Sequence, residues 1–490
     1  MVDEPAGTAF ILDDASRPLD LNAPDNGLKY DTSGKTPVIL VPQPSDDPND
    51  PLNWPLWKRD SILVILSVIS VLAVSLSPIL AANSLTLSLH FERDFTAIAL
   101  LSGYHLCGVG VAGLLFVASA RVWGRRHLYL AGTLLLIVSA AWGGAAQSYK
   151  SFLWSRILQG VAVAPFEALV NASVGDLYFV HQRGMRMALS SLALFGSAFF
   201  TPIVVGRMTH TIGFRWTFYF IAIFSAFILP FVFFLVPETA FRREAHFNTD
   251  ISSSGAEDHL RHHRQSSKAG HERNGPTEST GSQPIAHSPG VDGESEKALE
   301  NGSLAGASTV PRKTSWIQSL SPFNGRKTSI SFLSLLVRPL VLLFHPAILW
   351  ACLIQGVLIG WTVLIGVVLA AIFLGPPLFF DEVKTGYMYT GAFVGALVGF
   401  LVSGLLSDWS ARWMTKRNKG VYEPEFRIVL VILQLICGCL GLYGFGITSA
   451  NVGRYGWLLP DVFFAFEVAG MVIGAVASAL YIVDAYRESD

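Results

Sequence analysis

Apolar residues gather along this chain into ten long runs, at 61–80, 95–120, 128–146, 152–174, 187–205 and 216–236, then at 347–373, 388–406, 428–447 and 457–483. Each is close to the roughly 20 residues that carry an α-helix across a bilayer core about 30 Å thick. None alternates polar and apolar positions as a barrel strand does, and helix is the form that satisfies backbone polar groups inside lipid. The pattern predicts an all-α, polytopic membrane protein. The mostly polar residues before the first run lack the short apolar segment of a secretory signal. Residues 237–338 are polar, and their middle, 248–312, is rich in Ser, Gly, His, Glu and Lys with no hydrophobic period. That stretch reads as a disordered cytosolic linker. The expected organisation is an N-terminal tail over 1–60, a six-helix half over 61–236, the linker over 237–338, and a second half over 339–490 with four helices.

Composition agrees. Hydrophobic residues make up 51% of the chain and charged residues 14%, against about 25% charged in soluble domains. The mean hydropathy of +0.46 requires lipid to cover part of the apolar surface. A net charge of −1 carries no signal for a polyanion, so no nucleic-acid partner is expected. Cys107, Cys352, Cys437 and Cys439 all fall inside apolar runs, which predicts neither disulfides nor a zinc site. His259, His262, His263 and His271 sit in the polar linker without a cysteine, so they read as solvated. No metal or cofactor is expected. Lys58, Arg59, Arg121, Arg125, Arg126, Arg183, Arg186, Arg412, Lys416, Arg417, Lys419 and Arg427 fall on one side if the N-terminus is cytosolic. The positive-inside bias therefore predicts N-in, with the plasma membrane as the expected location.

Six spans, a long loop and a second helical block resemble the major facilitator superfamily, and local motifs resemble its fungal members near the drug:proton antiporters. The motif residues are Asp47-Pro48-Asn49-Asp50-Pro51-Leu52-Asn53-Trp54-Pro55-Leu56-Trp57-Lys58 ahead of span one, Arg156, Gln159 and Gly160 in span four, and Pro165-Phe166-Glu167-Ala168-Leu169 with Asp176, His181, Arg183 and Gly184 beyond. Phe214-Arg215-Trp216 and Pro237-Glu238-Thr239 bracket span six. Pro376-Pro377, the stretch Gly404-Leu405-Leu406-Ser407-Asp408 and Tyr481-Ile482-Val483-Asp484-Ala485-Tyr486 follow in the second half. The departures are Arg121 where the family carries Asp, and Thr201-Pro202-Ile203-Val204-Val205-Gly206 in place of the fuller antiporter pattern. The family has twelve spans and ten are counted here, so the resemblance implies that the last two helices are lacking. In the family the loops at Gly124-Arg125-Arg126 and at Asp408 help control the inward gate; as residues alone they equally read as positive-inside anchors.

The resemblance implies a substrate near the midplane between two halves, which directs attention to polar residues inside spans. A charge there costs several kcal/mol unless it faces a cavity or a partner. Arg156 and Glu167 are eleven residues apart, hence within about 20° on a helix, and Gln159 shares their stripe. At about 16 Å along the axis they are too far apart to pair. Arg156 reads as tuning a proton site or binding substrate, or as fixed in a structural network. Glu167 reads as a proton carrier, as an attractor for cations, or likewise as fixed in such a network. His105, about ten residues into span two, suits proton coupling or a plain bond to a backbone carbonyl. Glu467 lies equally deep in span ten and is a candidate proton or cation site, whereas Asp461 nearer the interface is expected to be solvated. Gln355, Trp361 and Tyr389 are aromatic and polar candidates of the second half. Glycines at four-residue spacing (Gly391, Gly395 and Gly399; Gly356 and Gly360; Gly470 and Gly474) predict close helix packing. The G-x-G-x-x-G string at 108–113 lies inside a span with no preceding strand, so it is not a dinucleotide site.

Together these readings predict a monomeric, proton-coupled secondary transporter that exports small organic molecules such as secondary metabolites, toxins or drugs, and not an enzyme. Uptake of polyamines or other organic cations is the alternative, with a non-transporting remnant or sensor as the third reading.

Overall fold

The computed structural model describes residues 9–10, 29–31, 38–241, 314–323, 325–328, 330–418 and 421–485. The first half comprises α1 (Leu56–Val74), α2 (Ser84–Phe91), α3 (Phe95–Trp123), α4 (Arg126–Ala145), α5 (Tyr149–Leu177), α6 (Val180–Ser191), α7 (Ser197–Ile212) and α8 (Phe214–Leu235). The second comprises α9 (Phe332–Leu342), α10 (Pro346–Leu374), α11 (Glu382–Tyr387), α12 (Thr390–Arg417), α13 (Val429–Ala450) and α14 (Leu458–Ala485). Outside the helices, β1 (Ala9–Phe10) pairs antiparallel with β4 (Val421–Tyr422), and β2 (Tyr30–Asp31) with β3 (Val38–Ile39).

Among the described residues, nine helices are long and apolar enough to cross a membrane, against the ten apolar runs. The exception is the run at 61–80. Its helix opens at Leu56, carries Lys58, Arg59 and Asp60 in its first turns and stops at Val74, and a short 3-10 turn over Pro78–Leu80 follows before α2. Proline has no N–H to continue a helical ladder, which is why the chain breaks here. A second break, at Met388 and Tyr389, separates α11 from α12, and a π-helical turn over Leu192–Gly196 joins α6 to α7. Non-helical backbone at membrane depth is stable only where protein or a cavity surrounds it.

Glycines set the tight helix contacts. Gly160 of α5 faces the His105 carbonyl of α3, and Gly108 faces Ile157 in return; Gly391, Gly395 and Gly399 of α12 face Asp461, Ala465 and Ala469 of α14. Gly470 and Gly474 abut Gly438 and Gln434 of α13. Gly356 and Gly360 depart from the expectation: open space lies beyond them on α10.

The linker's ends are fastened to the first half. Glu238 accepts from the backbone N–H groups of Arg125 (2.9 Å) and Arg126 (3.2 Å), Phe323 stacks on His127, and Leu335 packs on Ala118 and Val122. Helix α9 starts at Phe332, inside the stretch expected to be linker, because residues 332–342 are apolar on the side that meets α3. His259, His262, His263 and His271 lie outside the described residues.

Candidate functional site

The two halves enclose a cavity of about 860 Å³, within the size range of pockets that hold drug-sized molecules. Both breaks and the π turn reach it: Ser77 and Pro78, Tyr389, and Leu194 with Phe195 all line it. The second half contributes Gln355, Ile359, Thr362 and Gly366, four positions on one face of α10. Most of the wall is apolar. Among the described lining residues Glu167 is the only carboxylate and the only charged group, with Asn171 one turn further along α5.

Arg156 is fully buried but does not line this cavity. Its guanidinium donates to the carbonyls of Leu76 (2.7 Å) and Ser77 (3.4 Å) and to Oε1 of Gln159 (2.8 Å). Those carbonyls are the acceptors left open where α1 stops, and a cation at a helix C-terminus is favoured by the backbone dipoles. Gln159 passes the link on to the Ser139 carbonyl of α4 at 3.0 Å. His105 is buried beside them, with Nε2 2.8 Å from Ser77 Oγ and Nδ1 3.3 Å from the Arg156 carbonyl. The stripe on α5 thus splits in two, Arg156 and Gln159 closing the end of α1 while Glu167 lines the cavity.

Glu467 is buried behind Thr362, with Oε1 2.6 Å from the Thr362 hydroxyl and Oε2 unpartnered. The same hydroxyl lies 2.9 Å from the Leu358 carbonyl. A hydroxyl carries one hydrogen. If Leu358 receives it, the short contact to Glu467 needs a proton on the carboxyl; if Glu467 receives it, the Leu358 contact is empty. The neutral carboxyl satisfies both contacts, and Thr362, which lines the cavity, lies between it and Glu467.

Other candidates fall elsewhere. Gln355 lines the cavity and donates to the Met471 carbonyl at 3.4 Å. Tyr389 also lines it and donates to the Gly366 carbonyl at 2.6 Å. Trp361 turns outward at 42% exposure, because α10 presents positions 355, 359, 362 and 366 inward and leaves 361 on the opposite side. Asp461, expected to be solvated, is instead buried and accepts from the Gly391 N–H at 3.2 Å, since the glycine spacing draws α12 onto α14 there.

At the end where the arginines gather, called here the basic end, α6 packs against α12 and α14. Arg183 lies 3.2 Å from Asp484 across the seam. Asp484 also accepts from the Tyr422 hydroxyl at 2.6 Å and lies 3.6 Å from Arg427. Burial pushes the Tyr422 hydroxyl up from its ordinary value, which keeps it a donor to Asp484. Arg427 donates to the Ser407 carbonyl and hydroxyl and lies 3.6 Å from Asp408, which abuts Gly184 of the opposite half. Nearby, Gly124 ends α3 with φ of 90°, a left-handed geometry suited to glycine, and Arg125 pairs with Asp176 at 2.7 Å. Arg126 donates to the carbonyls of Val236 and Phe233. At the opposite end Gly206 and Gly386 bring α7 against α11.

A family model described as Major Facilitator Superfamily matches residues 63–489. Protein HOL1 of Saccharomyces cerevisiae is 25% identical over 493 residues, covering 95% of this chain and 82% of that protein. The citrinin biosynthesis cluster MFS transporter mrr1 of Monascus ruber is 25% identical over 198 residues, 40% of each chain. Among solved structures, the proton:xylose symporter XylE bound to 6-bromo-6-deoxy-D-glucose aligns with a TM-score of 0.50 at 13% identity, covering 88% of both chains, a likeness of fold.

Proposed function

The chain belongs to the Major Facilitator Superfamily, and on that premise we propose that this multi-pass membrane transporter is proton-coupled and exports small organic molecules. The observation that carries the reading is Glu167, a single acid on an otherwise largely apolar wall between the halves, with Glu467 one layer behind, in contact with Thr362 of that wall. An apolar wall suits a solute with a ring or hydrocarbon body; a lone carboxylate suits a proton or a cationic group. The relative from a citrinin biosynthesis cluster supports secondary metabolites as cargo. The basic end is the cytosolic one under the positive-inside rule, which sets the N-terminus inside, and we propose a monomer in the plasma membrane.

Uptake of organic cations is a second reading, favoured by the same unpaired Glu167. Liposomes holding the purified chain separate the two. Export driven by protons predicts solute movement opposite to the proton flow, uptake coupled to protons predicts movement with it, and either stops when an ionophore collapses the gradient. Movement indifferent to the ionophore removes proton coupling, and binding without flux in either direction leaves a sensor.

A further inference from the structure

The Asp47-to-Lys58 motif has no part in the cavity. Its part before Leu56 folds as a knot ahead of α1: buried Asp50 accepts from the Ser45 N–H (3.0 Å) and hydroxyl (2.9 Å) and from the Leu52 N–H (3.0 Å). The Asn53 amide donates to the carbonyls of Ser45 (2.8 Å) and Asp47 (2.9 Å). Asn49 accepts from the Thr314 N–H at 2.8 Å, so the returning linker is tied to the same knot. Pro51 and Leu52 are buried on the first half beside α5.

From this root the preceding residues cross the basic end. The Val41 carbonyl accepts from the Val180 N–H of the first half at 3.0 Å. The Val41 side chain, 1% exposed, sits in an apolar cluster with Val180 and, from the second half, Ala411, Tyr422 and Phe426. Further out, Asp31 lies 3.4 Å from His181, and β1 adds a strand to β4. Tyr422, which meets Val41, is the residue that donates to Asp484 at the seam.

We infer that residues 38–46 are an intramolecular ligand of the seam: a strap rooted on the first half by the Asp50 knot and seated on the second half by Val41, which must lift before the basic end opens. Burial of one valine side chain biases such docking by roughly ten- to a hundredfold, and the tether supplies a high local concentration. That strength keeps the strap seated at rest yet lets it release within a working cycle. The lifting clause rests on the transport reading; the docking clause does not.

The test uses the full chain in permeabilised liposomes, with Cys107, Cys352, Cys437 and Cys439 replaced and a reporter thiol introduced as Ala411→Cys. The thiol is shielded while the strap is seated. Maleimide labelling is expected to run about tenfold faster with Val41→Glu, while Val41→Leu labels like the parent and monodisperse elution establishes that each variant is folded. Equal rates in V41E and parent overturn the docking. In sealed liposomes, pairing Val41→Cys with Ala411→Cys then fastens the strap: oxidation should stop solute movement and a reductant restore it, and movement unaffected by oxidation overturns the lifting. A chain whose labelling responds but which moves no solute in either redox state counts against the transport reading and leaves the docking standing.

Discussion

Thr362 Oγ1 and Glu467 Oε1 lie 2.6 Å apart, the hydroxyl at the cavity wall and the carboxyl behind it. Glu467→Gln keeps the shape and a hydrogen bond to Thr362 but removes the exchangeable proton. Gradient-driven accumulation is expected to fall at least about tenfold while solute binding, measured by equilibrium dialysis, stays near the parent value. Unchanged accumulation would remove Glu467 from the coupling path. Thr362→Val should be intermediate, since it strands one carboxyl oxygen at a cost of about 1–3 kcal/mol.

Glu167 bears on the cargo. A hydrogen bond to a charged group is worth about 1.5–3 kcal/mol, so Glu167→Gln should weaken binding of a cationic solute by about ten- to a hundredfold. A neutral solute of the same size should be affected far less. Titration of a matched cation–neutral pair measures this; equal losses for both would mean that Glu167 shapes the cavity without recognising charge.

Arg156 should act through stability. Arg156→Ala strands the carbonyls of Leu76 and Ser77 and the Gln159 side chain, with an expected loss of about 2–5 kcal/mol. A drop in melting temperature in detergent reports it, and Arg156→Lys should recover only part, since an ammonium lacks the planar fork. Full stability of R156A with transport abolished would instead place Arg156 in the transport chemistry.

Asp484 is shared by Arg183 and Arg427, and removing one partner of a buried ion pair costs about 3–5 kcal/mol. Asp484→Asn should therefore favour an open basic end. A thiol-specific reagent applied at that end should label Ala188→Cys severalfold faster than in the parent. Arg183→Ala, which leaves Arg427 paired with Asp484, is expected to speed labelling as well, and labelling unchanged in it would assign Asp484 to the second half alone.

Much of this architecture was legible from hydropathy, because lipid leaves helix as the main way to satisfy a span's backbone. Glu167 was legible for a related reason: an acid deep in an apolar run has few places to face. The break after Val74 was less so, although Pro78 marks it, since an apolar run reads the same whether or not its helix is continuous. Trp361 was misplaced because an aromatic residue on a span has no sign of which side it faces until neighbouring helices are known. Thr362, next to it, carries a small hydroxyl that apolar scanning passes over. Asp484 sits at the end of a span, where charge is ordinary, and only the approach of Arg183, 301 positions earlier, gives it meaning. Val41 belongs to a tail whose pattern holds no period, so its burial follows from tertiary contact alone.

The broken first span also orders the assembly of the molecule. The carbonyl of Leu76 enters the bilayer 80 residues before Arg156, the side chain that satisfies it, has been synthesised. Until α5 arrives, α1 must shelter that oxygen with water or with the insertion machinery. The first half is therefore expected to mature as the set α1 to α5, and a nascent chain halted before residue 156 should stay bound to whatever received it from the ribosome.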